Sequence, residues 1–422
     1  MRIAFTPWGS FGDLHPYLAV AIEMKKRGHD VLIATSEAYR AKVEGEGLRF
    51  HAVRPDLQEF FDHPERFGDI MHAFKGQERL FRRVIMASVR EMFDDLRAGV
   101  DGCDLVVSHV AMSAAPVVAE YLSIPWISVV LQPAVLWSAT DPSYFPITRG
   151  SLRRSPAFAR LFFRFVRVLT NNWMRPLYDL RRGLGLPVEG KHPLFEGQFS
   201  PLGTLAFFSP LFAKPQSDWP PKSIATGFPF YDKLDVNSAG LPSEMEAFLQ
   251  QGEAPIIFTL GSSAVHVRSN FYEVSYRAAE KLGKRAILLA GPNFESRLQL
   301  RKTRDIFIAD YAPYSQLLPR GAATVHSGGI GTTAQALRAG KPQIVMPFSH
   351  DQPDNGDRVR RLGVGTMIPR GSYSVSRLCL ELTKLLSNER MALKVRELGR
   401  QIQFEQGTKN AADALEHLRL LA

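Results

Sequence analysis

Short apolar runs in this chain are each followed by a polar or glycine-rich turn, then by a stretch whose apolar positions recur at helical spacing. Ile3 to Thr6 is the first such run, Gly9-Ser10-Phe11-Gly12 the turn, and Pro16 to Arg27 a helix with Pro in its first turn. Gly28-His29-Asp30 stops that helix before a second run, Val31 to Thr35. Strand, helix, strand is the unit of a doubly wound parallel sheet, and it recurs at Leu105-Val106-Val107, the helical Ala114 to Tyr121, and Trp126 to Val130. From about Pro201 to Pro242 the texture turns to Pro, Gly and aromatics, which predicts a connection between domains. A second α/β series follows: Ile256 to Gly261, Ala286 to Ala290, Ile306 to Ile308, Ala323 to Val325 and Gln343 to Met346. The expected fold class is α/β, with two doubly wound, Rossmann-like domains facing each other across a cleft. Their expected bounds are 1–205 and 251–400, with a linker region at 206–250 and a C-terminal helix at 401–422 that packs back on the first domain.

Composition narrows the class. With 422 residues, 45% hydrophobic and 22% charged, the chain is long enough for more than one core and is neither disordered nor a multi-span membrane protein. Two cysteines, Cys103 and Cys379, exclude a disulfide framework and fit a reducing compartment. The first residues do not read as a signal peptide, and no run approaches the ~18–20 apolar residues of a spanning helix, so a cytoplasmic protein is expected. Net charge is +10, an excess that would suit nucleic acid, an anionic membrane or a phosphorylated ligand. Its placement discriminates, because Arg149 to Arg182 holds nine arginines against one acid, Asp179. At helical spacing Arg153, Arg160, Arg164 and Arg167 share one face, and Phe158, Leu161, Phe162, Phe165 and Leu169 the other. That pattern fits a helix lying in an anionic membrane interface, at the inner face of the cell membrane. It equally fits a helix packed on the first domain with a solvated basic face. No nucleic-acid reading module accompanies the charge.

The sharpest local signal is His326-Ser327-Gly328-Gly329-Ile330-Gly331-Thr332-Thr333, directly after a strand and running into the helical Ala334 to Ala339. Such a turn aims backbone N–H groups and a helix dipole at one spot, which suits phosphate. The same glycines would also make a plain tight turn. No Walker lysine is present, and no Asp-x-Asp or His/Cys cluster at metal spacing appears.

The next segment, Gly340-Lys341-Pro342 through His350-Asp351-Gln352-Pro353-Asp354-Asn355, taken with Asp310-Tyr311-Ala312-Pro313, resembles the donor signature of the family 1 nucleotide-sugar glycosyltransferases of GT-B fold. Gly9-Ser10-Phe11-Gly12-Asp13-Leu14-His15-Pro16 is similar to the Gly-Asp-x-x-Pro turn of their bacterial and sterol branches. Asp218-Trp219-Pro220 and Thr226-Gly227-Phe228-Pro229 bring the wording nearest to bacterial rhamnolipid-type rhamnosyltransferases. The resemblance implies an acceptor-binding first domain, a donor-binding second domain, and inverting transfer from a UDP- or dTDP-sugar to a hydroxyl of an apolar, lipid or sterol-like acceptor. It implies no metal and no cofactor beyond the nucleotide sugar. Asp13 falls where the family places its catalytic base, with His15 as the fallback; a helix cap is the plain alternative for Asp13. His109 falls near the position of the base's partner. On the donor side, the resemblance implies that Tyr311 and Pro313 line the nucleobase and that Ser262 and Ser263 approach the phosphates. His326 or Ser327, with Gly328, Gly329, Gly331 and Thr332, would hold the diphosphate. Asp351 and Gln352 would meet sugar hydroxyls, and Asn355 would hold the loop. Polyketide or other small natural-product glycosylation is an alternative within the family. A nucleotide-sugar epimerase and a silent sugar-nucleotide-binding subunit are the rivals outside it.

Overall fold

The structure is a computed structural model that describes residues 1–59, 63–188, 190–232, 240–265, 267, 269–292, 294 and 299–420. The chain forms two compact units, Met1–Tyr231 with Gln406–Ala422, and Asp232–Glu405.

The first unit holds seven strands: β1 (Arg2–Thr6), β2 (Asp30–Thr35), β3 (Arg49–Ala52), β4 (Leu105–His109), β5 (Trp126–Val130), β6 (Thr204–Ala206) and β7 (Ser223–Ala225). They pair in parallel in the order β3-β2-β1-β4-β5-β6-β7. Helices cover both faces of such a sheet, so β1, β4 and β5 read as nearly unbroken apolar runs and are buried. The segment 201–242, expected to be a connection, supplies β6 and β7 instead. Three-residue strands among prolines carry too few positions to show a period. Residues 233–239 of the expected linker lie outside the described residues.

Two helices of this unit matter for the site and the domain bounds. The first spans Phe11–Lys26, not Pro16 onward, because Ser10 caps it with Asp13 in its first turn. Pro16 therefore sits inside the helix and offers no amide proton to the Gly12 carbonyl. The last helix of the chain, Gly407–Leu420, lies on this same unit. Arg27 Nη1 bonds Asp413 Oδ1 at 2.6 Å and Glu416 Oε2 at 2.9 Å, and Asn410 Nδ2 donates to the Thr226 carbonyl at 2.9 Å.

The second unit has six parallel strands: β8 (Ile256–Thr259), β9 (Ala286–Leu289), β10 (Ile306–Ala309), β11 (Ala323–His326), β12 (Gln343–Val345) and β13 (Gly365–Met367). Their order is β10-β9-β8-β11-β12-β13, over a core that includes Met245, Phe248, Ile257, Ile287 and Leu317. In each sheet the winding reverses once, between β1 and β4 and between β8 and β11. Ligands of open α/β sheets bind beyond the carboxyl ends of the strands at such points.

Candidate active site

At the first reversal, β1 runs beside β4 with Phe5 opposite Val107 and Thr6 opposite Ser108. The loop after β1 therefore lies next to His109, the last residue of β4. Asp13 uses one carboxylate oxygen as a cap: Ser10 N–H donates to Oδ2 at 2.7 Å and Ser10 Oγ at 3.2 Å. Gly9 holds φ +134°, and a Cβ on it would lie 2.3 Å from Asp13 Oδ2, so only glycine lets the loop close this tightly. The other oxygen, Oδ1, lies 3.9 Å from His109 Nε2. Asp13 is thus both a cap and half of a dyad.

The tautomer of His109 follows from its neighbours. Its Nδ1 accepts the Ala111 N–H at 3.3 Å, so a neutral ring carries its proton on Nε2, facing Asp13. Burial holds the imidazolium form down to a pKa of about 4 and pushes the Asp13 carboxyl up to about 6, against the lowering effect of its bonds to Ser10. The Asp13 side chain keeps 26% of its surface and His109 only 5%, which makes Asp13 the member open to solvent. Tyr17, on the same helix four residues after Asp13, is buried with its ring 6.0 Å from that of His109. Its hydroxyl has no hydrogen bond among the described residues, and burial together with the Asp13 charge raises its pKa. Spacing of i, i+4 from Asp13 was the signal that could have found it. The His15 ring stacks 4.9 Å from that of Tyr231 and lies tilted 5.3 Å from that of Phe11.

At the second reversal, β11 pairs with β8 so that His326 stands opposite Thr259. The helix after the glycine loop spans Ile330–Arg338, starting a turn earlier than expected, with Gly329 as its N-cap. Gly331 and Thr332 therefore lie in its first turn, where the amides of Ile330, Gly331 and Thr332 have no intrahelical acceptor. Gly328 holds φ +90°, and a Cβ there would meet Val345 Cγ1 at 2.5 Å. His326 and Ser327 are turned into the protein. His326 Nδ1 accepts the Gly328 N–H at 3.0 Å, Nε2 faces Gln343 Oε1 at 2.9 Å, and burial lowers its pKa to about 4. Ser327 Oγ donates to the Leu260 carbonyl at 2.8 Å. Both side chains brace the loop from within, while the amides of Ile330, Gly331 and Thr332 are left without an intrahelical acceptor.

The supporting shell comes from two further segments. Asn355 Nδ2 donates to the Gly328 carbonyl at 2.9 Å and to Asp351 Oδ2 at 2.6 Å, so it ties the glycine loop to the turn after β12. Gln352 Oε1 accepts the Phe348 N–H at 2.8 Å, which engages the amide oxygen in the turn itself. Gly261, at φ +70°, starts a short helical turn, Gly261–Ala264, and a Cβ there would lie 3.1 Å from Thr332 Oγ1. Ser262 is thereby brought beside the glycine loop; the Ser263 side chain lies outside what the structure describes. Pro313 is buried after β10, whereas the neighbouring Tyr311 ring is 60% exposed. Thr259 Oγ1 and Tyr314 Oη lie 2.8 Å apart beneath the loop, a pairing with no periodic signature. Among the described residues no group of acidic, His and Cys side chains could hold a metal ion.

Residues 3–139 match the glycosyltransferase family 28 N-terminal domain, and residues 294–411 match the C-terminal domain of erythromycin biosynthesis protein CIII-like proteins. An O-mycaminosyltylonolide 6-deoxyallosyltransferase from Streptomyces fradiae is 32% identical over 432 residues, covering 99% of this chain and 97% of that protein. The chain belongs to the GT-B glycosyltransferases. A sterol 3-beta-glucosyltransferase of Arabidopsis thaliana is 26% identical to this glycosyltransferase over 98% of its chain and 67% of the plant protein. Among solved structures, glycosyltransferase VinC in complex with dTDP superposes with a TM-score of 0.69 at 18% identity, covering 100% of both chains. The two parallel-sheet units of this glycosyltransferase are those of the GT-B fold.

Proposed function

We propose that this glycosyltransferase moves a hexose or deoxyhexose from a UDP- or dTDP-sugar to a hydroxyl of an apolar acceptor, with inversion at the anomeric carbon. Asp13 Oδ1 takes the proton of the acceptor hydroxyl as its oxygen attacks. The bond from the anomeric carbon to the diphosphate breaks, and the leaving phosphate carries away the negative charge. The observation that carries this reading is the Asp13–His109 dyad, whose carboxyl is partly exposed and has a pKa of about 6. At neutral pH such a carboxyl is mostly ionised yet basic enough to accept a proton. His109 is a positioning residue, its Nε2–H aimed at the carboxylate. The amides of Ile330 to Thr332, backed by their helix dipole, stabilise the diphosphate without a metal. Tyr311 lines the nucleobase, and Asp351 and Gln352 select the sugar.

The full-length match to a macrolide-modifying relative favours a polyketide-like alcohol as acceptor. A lipid or sterol alcohol is the second reading, favoured by the sterol-active relatives. An epimerase would need no base that meets an incoming hydroxyl, and a silent binding subunit would need no dyad. The test is a thermal-shift screen with UDP- and dTDP-sugars, followed by mass spectrometry of sterol, macrolide and lipid alcohols incubated with the best donor. A product one glycosyl unit heavier is expected, and the absence of a shift with every sugar nucleotide would overturn the proposal.

A further inference from the structure

Within the first unit, the helix Pro156–Asn171 buries only a narrow arc of its surface. Ala159, Phe163 and Thr170 lie within one arc at ~100° per residue and are buried, so the helix packs on its unit through them. The opposite arc is apolar too, and it faces water: Phe158, Leu161, Phe165, Val168 and Leu169 are 47%, 64%, 58%, 74% and 55% exposed. Arg160 and Arg164 flank this stripe, and among the described residues neither has an ion-pair partner. The helix carries no acid at all. Of the four arginines expected on one face, Arg153 belongs to the preceding turn, Ser151–Arg154, and Arg167 pairs with Glu196. Where the helix ends, Trp173, Arg175, Arg82, Arg90 and Asp179 line a groove of about 650 Å³, its three arginines paired with Asp179, Glu78 and Asp94.

We propose that this face docks the enzyme on an anionic lipid bilayer, with the helix lying in the plane of the interface. Five solvated apolar side chains flanked by unpaired guanidinium groups match a surface that offers acyl chains beneath phosphate headgroups. A second copy of the chain matches it less well, because a two-fold contact would set arginines against arginines. No helix among the described residues is long and apolar enough to cross a membrane, and 16 residues span only ~24 Å, so the contact is peripheral.

The test is flotation of the full chain with vesicles of phosphatidylcholine alone and with about 30% phosphatidylglycerol added. About tenfold more protein is expected to float with the anionic vesicles, falling severalfold at about 0.5 M salt. The pairs Leu161→Glu with Phe165→Glu, and Arg160→Glu with Arg164→Glu, remove flotation while the melting temperature holds, because all four side chains are exposed. Equal recovery with both vesicles, no recovery with either, or variants that float like the wild type would overturn the proposal. So would a dimer that the Leu161→Glu, Phe165→Glu pair dissociates in a protein that does not float. The readout needs no sugar transfer, so its failure leaves the catalytic reading untouched.

Discussion

The two units solve the same topological problem with different chemistry. Both place their candidate residues where the sheet reverses, β1 against β4 in one and β8 against β11 in the other. The first reversal holds a carboxyl raised to about 6 beside a buried neutral histidine. The second holds a histidine that is just as buried and just as far below its ordinary pKa, yet both its ring nitrogens are engaged within the unit. What separates the two histidines is the neighbour that each Nε2 meets. His109 faces an ionisable carboxyl, and His326 faces a neutral amide that cannot change charge. On the proposed function, the first reversal moves a proton and the second holds backbone donors against an anion.

The largest expected effect tests that division directly. Asp13→Asn keeps an oxygen to accept the Ser10 N–H, so the cap survives while the base is lost. We expect kcat to fall about 10²–10⁴-fold. Stability should move the other way. Because the folded pKa of Asp13 lies above its ordinary value of 3.8, its ionisation costs stability as pH rises through about 6. At pH 8 the Asn variant should therefore unfold at a temperature equal to or above wild type, by ~1–2 kcal/mol at most, given the exposed part of the side chain. A lowered melting temperature with kcat intact would make Asp13 a cap and nothing more. In the wild type, kcat/KM should climb about tenfold per pH unit below about 6 and level off above it.

Gly328→Ala comes next and should act on the other side of the comparison. Its φ of +90° and the 2.5 Å approach to Val345 predict a loss of about 2–4 kcal/mol, with weakened nucleotide binding. Differential scanning fluorimetry with and without dTDP separates the two effects. Asn355→Ala frees the Gly328 carbonyl and Asp351, and should raise the donor KM about tenfold with little change in the pH profile. A shifted profile in that variant would erase the distinction between the two reversals. The smallest effect is expected for His109→Ala. At 3.9 Å the Nε2–H makes no hydrogen bond to Oδ1, so its loss should move the rise in kcat/KM only slightly and lower the rate at pH 7 by about twofold to threefold. Excess EDTA should leave the rate of the wild type unchanged.

Most strands of both sheets could be read from the chain, because strands buried on both faces print continuous apolar runs such as Ile3 to Thr6 and Ala286 to Leu289. The strands β3, β6, β7 and β13 could not, since each mixes one or two apolar residues with polar or glycine positions and their pairing depends on the neighbour already being in place. Helix starts were misjudged where side-chain chemistry overrides pattern. Ser10 with Asp13, and Gly329 before Ile330, begin helices ahead of the first apolar repeat. Among the candidate residues, Asp13, His109 and the glycine loop stood out by type and position. The inward turn of His326 and Ser327 did not, because a histidine's partners come from strands distant in sequence.

By itself the sequence determined the α/β class, the glycine-rich cradle and the presence of a carboxylate after the first strand, all of which depend on local order and residue type. Only the tertiary structure decided which nitrogen of His109 faces Asp13 and which side of the Pro156–Asn171 helix meets water. The physical reason is the same in each case. Protonation, solvation and helix orientation are set by what lies across the fold, and residues well separated in the chain, such as Asp13 from His109, supply those neighbours.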